Sequence, residues 1–101
     1  MTQREKQSRF VWCVGMLIVY AYEHGYELTW GDTYPGKFKH SEYGKHPQGL
    51  AIDLNLFRDG VWLDKTEHHA PLGHYYESLD PHASWGGRWN DGNHYSYGEG
   101  R

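Results

Sequence analysis

Two histidines and two aspartates are spaced along this 101-residue chain in a pattern that could do chemistry. Asp53 sits inside the apolar run Gly49-Leu50-Ala51-Ile52-Asp53-Leu54-Asn55-Leu56-Phe57. A buried carboxylate is costly unless it is paired or holds a metal. His46 lies just ahead of that run, before the turn residues Pro47-Gln48-Gly49, and His94 lies in the segment 93–97. Two imidazoles and one carboxylate are the ligand types of a catalytic zinc site, which leaves its fourth position to water. Such a site brings the pKa of that water down to about 7. Asp91 precedes His94 in Asp91-Gly92-Asn93-His94. A carboxylate there could act as general base toward water and then as general acid toward a leaving amine. Each residue also has an ordinary reading. Asp53 fits the water face of an antiparallel strand. His46 and His94, taken singly, fit surface or hydrogen-bonded histidines, and Asn90-Asp91-Gly92-Asn93 is common turn composition.

The elements that must position these residues follow from periodicity. Phe10, Cys13, Val14, Leu17, Tyr20, Ala21 and His24 recur at helical spacing and predict a helix over about 3–24, with Gly25 as its C-terminal glycine. Val11 and Ile18 widen the apolar face, so burial on more than one side is expected. Residues 26–30 read as a short strand, and 31–48, rich in Gly, Pro, Lys and His, as a long loop. Residues 49–57 are the clearest strand, with Leu50, Ile52, Leu54 and Leu56 on one face. Asp59-Gly60, between apolar stretches, marks a hairpin. Residues 66–79 read as helical, with the start near Pro71, then 80–92 as a Gly/Trp-rich loop and 93–97 as a last strand. The expected fold class is α+β, a small antiparallel sheet with helices packed on it, in one domain over 1–101 with one zinc site.

Composition narrows the function. The chain carries 10 basic and 13 acidic side chains for a net charge of −3, so the basic surplus of a nucleic-acid binder is missing. Five Trp, nine Tyr and three Phe exclude a disordered chain. A single cysteine, Cys13, excludes an intramolecular disulfide and reads as a buried hydrophobe. The run Phe10 to Tyr22 follows Arg4, Lys6 and Arg9 as a signal peptide would. It is shorter than the roughly 20 apolar residues of a membrane span, and it reads as a core helix instead. No export signal and no stable membrane insertion are therefore expected.

The segment His46-Pro47-Gln48-Gly49-Leu50-Ala51-Ile52-Asp53 resembles the His-x-x-Gly-x-Ala-x-Asp signature of the zinc D-alanyl-D-alanine carboxypeptidase and L-alanyl-D-glutamate endopeptidase family. Asp91-Gly92-Asn93-His94 resembles that family's second signature, an acid followed three residues later by His. Between and before them, Tyr22 to Glu27, Asn55 to Gly60, Glu77-Ser78-Leu79 and Trp85-Gly86-Gly87-Arg88-Trp89 are similar to its small phage endolysins. The resemblance covers roughly residues 10 to 97. It implies that His46, Asp53 and His94 bind Zn2+ and that Asp91 is the catalytic carboxylate. It further implies a monomeric endolysin that cleaves the L-alanyl-D-glutamate bond of bacterial peptidoglycan stem peptides. Before lysis such a protein resides in the host cytoplasm. The alternatives are removal of terminal D-alanine, or a non-catalytic zinc-stabilised wall-binding module.

Two positions depart from the family pattern. Gly44 stands where the family often has Ser, and Pro35 follows Thr33-Tyr34 where relatives carry an Arg that can steady the oxyanion. Lys37, Lys39 and Lys45 are the nearby cations, but lysine lacks the planar fork of arginine. His24, His40, His68, His69, His74 and His82 match no signature ligand. His68 and His69, as helix neighbours, point in different directions and make a poor second metal site. Glu77 reads as structural, or as holding a ligand imidazole in one tautomer. Trp85, Trp89 and Tyr95 fit either a substrate groove or the core.

Overall fold

The computed structural model describes residues 1–31 and 48–98. Helix α1 spans Gln3–Glu23. It starts at a capping box: Thr2 Oγ1 accepts from Glu5 N at 3.1 Å, and Thr2 N donates to Glu5 Oε1 at 2.8 Å. It ends where Gly25, at φ +82°, lets Tyr26 N reach Ala21 O (2.9 Å) and Gly25 N reach Tyr22 O (3.2 Å). Phe10, Cys13, Val14, Leu17 and Ala21 are its buried face. The expected second buried side is corrected. Val11 is 67% exposed, Val19 and Tyr22 face solvent, and Ile18 is only partly covered. Outside that inner face, the half-exposed Tyr22 touches the sheet through its hydroxyl, which meets the Leu28 backbone at 3.3 Å.

The remaining elements are β1 (Glu27–Trp30), β2 (Ala51–Arg58), β3 (Val61–Trp62), α2 (Ala70–Ser78), β4 (Ala83–Trp85) and β5 (His94–Tyr97). All strand pairs are antiparallel, in the order β1-β2-β5-β4, with β3 also on β2. This is the expected α+β class. Asp59 (φ +52°) and Gly60 (φ +78°) form the β2–β3 turn, and two successive left-handed residues match the right-handed twist of a tight hairpin. Phe57 pairs with Glu27 on one side and Trp62 on the other. β3 therefore shares an edge of β2 with β5, which pairs with Ala51 to Asp53. The two strands meet that edge on either side of Asn55.

Strand alternation sorts the two faces. Leu54 and Leu56 of β2 and Tyr95 and Tyr97 of β5 join Phe10, Cys13 and Leu17 of α1 and Leu72 and Tyr76 of α2 in one core. Each fully buried leucine there stabilises the fold by about 1.5–3 kcal/mol. Burial pushes the Cys13 thiol up to about 11, which leaves it an unreactive core group. Gly73 brings α2 onto the Trp85 indole so closely that a Cβ would fall 2.1 Å from a ring carbon.

After β3 one sequence expectation holds and one changes. The helix start expected near Pro71 is met by α2, whose first turn holds Pro71 where its missing N–H costs nothing, while residues Thr66–His69 ahead of it form a 3₁₀ turn. The loop expected over 80–92 contains β4 and a second 3₁₀ turn, Gly86–Trp89. A three-residue strand has too few positions to show a period. β4 exists because Ala83 and Trp85 pair with Tyr97 and Tyr95. Among the described residues, no helix is long and apolar enough to cross a membrane.

Candidate active site

Asp53 and His94 are cross-strand partners in the β2–β5 ladder, on the sheet face opposite Leu54 and Tyr95. Asp53 Oδ1 and His94 Nδ1 are 3.4 Å apart. His94 is only 6% exposed and Asp53 is partly buried, so the carboxylate faces an imidazole rather than open water. The chain closes in on this point. Gly31 N donates to Asp53 O at 2.8 Å, and a Cβ on Gly31 would sit 2.8 Å from Asp53 Cβ. A carboxylate oxygen and an imidazole nitrogen converging from neighbouring strands are the donor chemistry zinc takes, so the pair fits two corners of a zinc site. His46 lies outside the described residues, as do Pro35, Lys37, Lys39, Gly44 and Lys45. Among the described residues, no group of three or more His, Cys, Asp or Glu side chains converges as a metal site.

Asp91 is held by the backbone around it. Its N–H donates to Gly86 O at 3.0 Å, and its carbonyl accepts from His94 N at 3.1 Å. A Cβ on Gly86 would fall 2.3 Å from Asp91 O and 2.9 Å from His94 Cβ. The glycine of Trp85-Gly86-Gly87 therefore lets the 3₁₀ turn lie directly against the Asp91–His94 loop. Asn90, at φ +56°, reverses the chain into that loop. Asp91 lines a cleft of about 180 Å³ together with Asn55, Trp62, Lys65, His69 and Asn93. This cleft opens where β3 and β5 part at Asn55.

His69, weighed in the sequence only as a second metal ligand beside His68, has a buried place that sequence reasoning missed. It is 3% exposed, with Nδ1 2.9 Å from the Tyr95 hydroxyl. Burial, aided by the neighbouring His68, lowers its pKa to about 4, so the ring is neutral near pH 7. Burial likewise raises the pKa of the Tyr95 hydroxyl. His68 turns the other way, and its Nδ1 accepts from Lys65 N at 3.2 Å. The two rings thus part, as adjacent positions should. The sequence offered His69 only as half of a poor metal pair with His68; its burial was not legible, because a single 3₁₀ turn displays no amphipathic period.

The other candidates resolve as follows. Glu77 Oε2 accepts from Trp85 N (3.1 Å) and Arg88 Nη2 (3.4 Å), so it ties α2 to β4 rather than steadying a ligand imidazole. Trp85 and Tyr95 are core residues, and Trp85 Nε1 donates to Gly92 O at 2.7 Å. Trp62, 59% exposed, is the tryptophan on the cleft wall, a place the sequence reading considered for Trp85 and Trp89.

The model of the D-alanyl-D-alanine carboxypeptidase family matches residues 37–97. That span holds both spaced signatures and all four candidate positions, His46, Asp53, Asp91 and His94. Comparison with curated proteins and with solved structures gives no match. The family consists of peptidases that act on peptidoglycan and are generally zinc-dependent. With the match spanning well over half of its length, the chain belongs to the D-alanyl-D-alanine carboxypeptidase family.

Proposed function

We propose that this chain is a zinc-dependent peptidoglycan peptidase of the small phage-endolysin kind, which hydrolyses the L-alanyl-D-glutamate bond of the stem peptide and so lyses the bacterial wall. The observation that carries this reading is the Asp53–His94 pair on adjacent strands, with Asp91 on the wall of a cleft three residues before the histidine. His46, Asp53 and His94 are the residues that would hold zinc. Bound there, zinc supplies polarisation of the scissile carbonyl and a lowered pKa for water. Asp91 takes the proton from the attacking water and passes it to the departing amine nitrogen. The similarity of Asn55 to Gly60 and of Trp85 to Trp89 to the endolysin branch supports the choice of bond. In this reading residues 1–101 work as one catalytic domain and as a monomer. The protein accumulates in the host cytoplasm and reaches the wall through a membrane lesion made by another protein.

The description of the matched family favours a second reading, release of terminal D-alanine. Digestion of purified peptidoglycan with and without a chelator, read by mass spectrometry, separates the two. New amino termini on D-glutamate, abolished by the chelator, are the expected result. Released D-alanine establishes the carboxypeptidase reading instead. No cleavage by folded, zinc-loaded protein leaves a wall-binding module.

A further inference from the structure

We infer that Thr66 is a positioning residue for Asp91, acting through the backbone of Gly92; the inference rests on Asp91 being the catalytic carboxylate. Gly92 is buried, and its N–H donates to Thr66 Oγ1 at 3.1 Å. A buried N–H needs an acceptor, and here the side chain of a distant element supplies it. The contact is tight: a Cβ on Gly92 would lie 2.6 Å from Thr66 Cα and 3.0 Å from Thr66 O. The next peptide, Gly92–Asn93, is held by Trp85 Nε1, which donates to Gly92 O at 2.7 Å. Asp91 itself is anchored by Gly86 O. The residue after the carboxylate is therefore gripped by two side chains, Trp85 of β4 and Thr66 of the 3₁₀ turn, and Thr66 lines the cleft beside Asp91.

The 3₁₀ turn that carries Thr66 is fixed in turn. At its far end, His69 Nδ1 lies 2.9 Å from the hydroxyl of Tyr95, the residue after His94. The turn thus touches the segment 91–95 twice, once beside the carboxylate and once beside the candidate ligand. It sets the distance between them without contributing an atom to the chemistry. A hydroxyl rather than an alkyl group at position 66 is required only because the Gly92 N–H must be met at that point.

The test compares Thr66→Val, Thr66→Ser and Asp91→Ala as zinc-loaded proteins. Cleavage of purified peptidoglycan and of a soluble stem peptide is measured, alongside zinc affinity by chelator competition. Thr66→Val keeps the volume and loses the acceptor. Its kcat is expected to fall on the order of 10- to 100-fold, the cost of a small misplacement, with KM and zinc affinity unchanged. Thr66→Ser is expected to restore kcat. If Thr66→Val does not fold, Thr66→Ala, which leaves room for water at the Gly92 N–H, is read by the same split between kcat and zinc affinity. Wild-type kcat in the Val or Ala variant overturns the inference, as does a loss of zinc affinity in step with kcat or a failure of Ser to rescue. An inactive Asp91→Ala beside a fully active Thr66→Val removes the role of Thr66 alone. A fully active Asp91→Ala overturns both the inference and the assignment of the base.

Discussion

Asp53 and His94 face one another across the β2–β5 ladder, Oδ1 to Nδ1 at 3.4 Å, on the sheet face opposite Leu54 and Tyr95. Their meeting depends on register. A slip of one residue would send one of the two side chains to the opposite face. Asp53→Ala and His94→Ala are each expected to lose zinc by more than the about 10- to 100-fold that loss of an outer-sphere partner costs. Chelator competition measures this. Zinc affinity of the wild type is expected to weaken as pH falls through about 6, because ligand imidazoles must be neutral. Full zinc occupancy at pH 4 would argue against two histidine ligands.

Asp91 is separable from the metal. Asp91→Asn keeps the backbone anchors to Gly86 and His94 and removes the proton acceptor. The expected loss in kcat is about 10²- to 10⁴-fold, with zinc content unchanged. Steady-state kinetics beside metal analysis of the same preparation tests it. Normal turnover in Asp91→Asn would move the base elsewhere.

His69 makes the fold acid-sensitive. Burial lowers its folded pKa to about 4, below the unfolded value of about 6.5. Between those values the unfolded chain binds more protons than the native one. Stability is therefore complete above about pH 6.5 and declines as pH falls toward 4. His69→Gln, which can still bond the Tyr95 hydroxyl, is expected to lose less stability than wild type across that window. Urea titrations at pH 7 and pH 5 measure the difference, and an equal decline in both proteins would contradict it.

Asp80 ties three elements together. Its carboxylate accepts from Arg9 Nε on α1 at 2.8 Å, from the Tyr97 hydroxyl on β5 at 3.2 Å and from His82 N at 2.8 Å. Burial alone would raise its pKa, but the hydrogen bonds from His82, Arg9 and Tyr97 outweigh burial and hold it below the usual carboxylate range. Asp80→Ala is expected to cost about 2–3 kcal/mol at pH 7, since hydrogen bonds to a charged acceptor are the stronger kind. For a carboxylate with a lowered folded pKa, this stabilisation is present above about pH 4 and lost as pH falls from there through the folded value. The gap between wild type and Asp80→Asn should therefore narrow below pH 4. Denaturation curves at several pH values check it.

Much of the fold was legible in short-range pattern. The helical spacing of Phe10, Cys13, Val14 and Leu17 predicted α1, and Gly25 its end, because both signals act within one or two turns. The alternation of Leu50, Leu54 and Leu56 predicted β2, and Asp59-Gly60 its hairpin. β4 was invisible, since three residues carry no period and the strand exists only through its partners on β5. The exposure of Val11 was invisible for a related reason: apolar type does not say on how many sides a helix has neighbours.

The candidate site divides along the same line. Residue type, together with the resemblance to the family's two signatures, marked Asp53, His94 and Asp91 among the described residues as candidates for zinc-ligand and general-base roles, because ligand chemistry belongs to the side chain itself. That Asp53 meets His94 was decided by strand register across 41 positions of sequence. The burial of His69 against Tyr95 and the grip of Thr66 on Gly92 were decided by tertiary packing. These are contacts between residues far apart in sequence. They form only when packing of the helices and sheet offsets the chain entropy of bringing them together, and no local pattern records that balance.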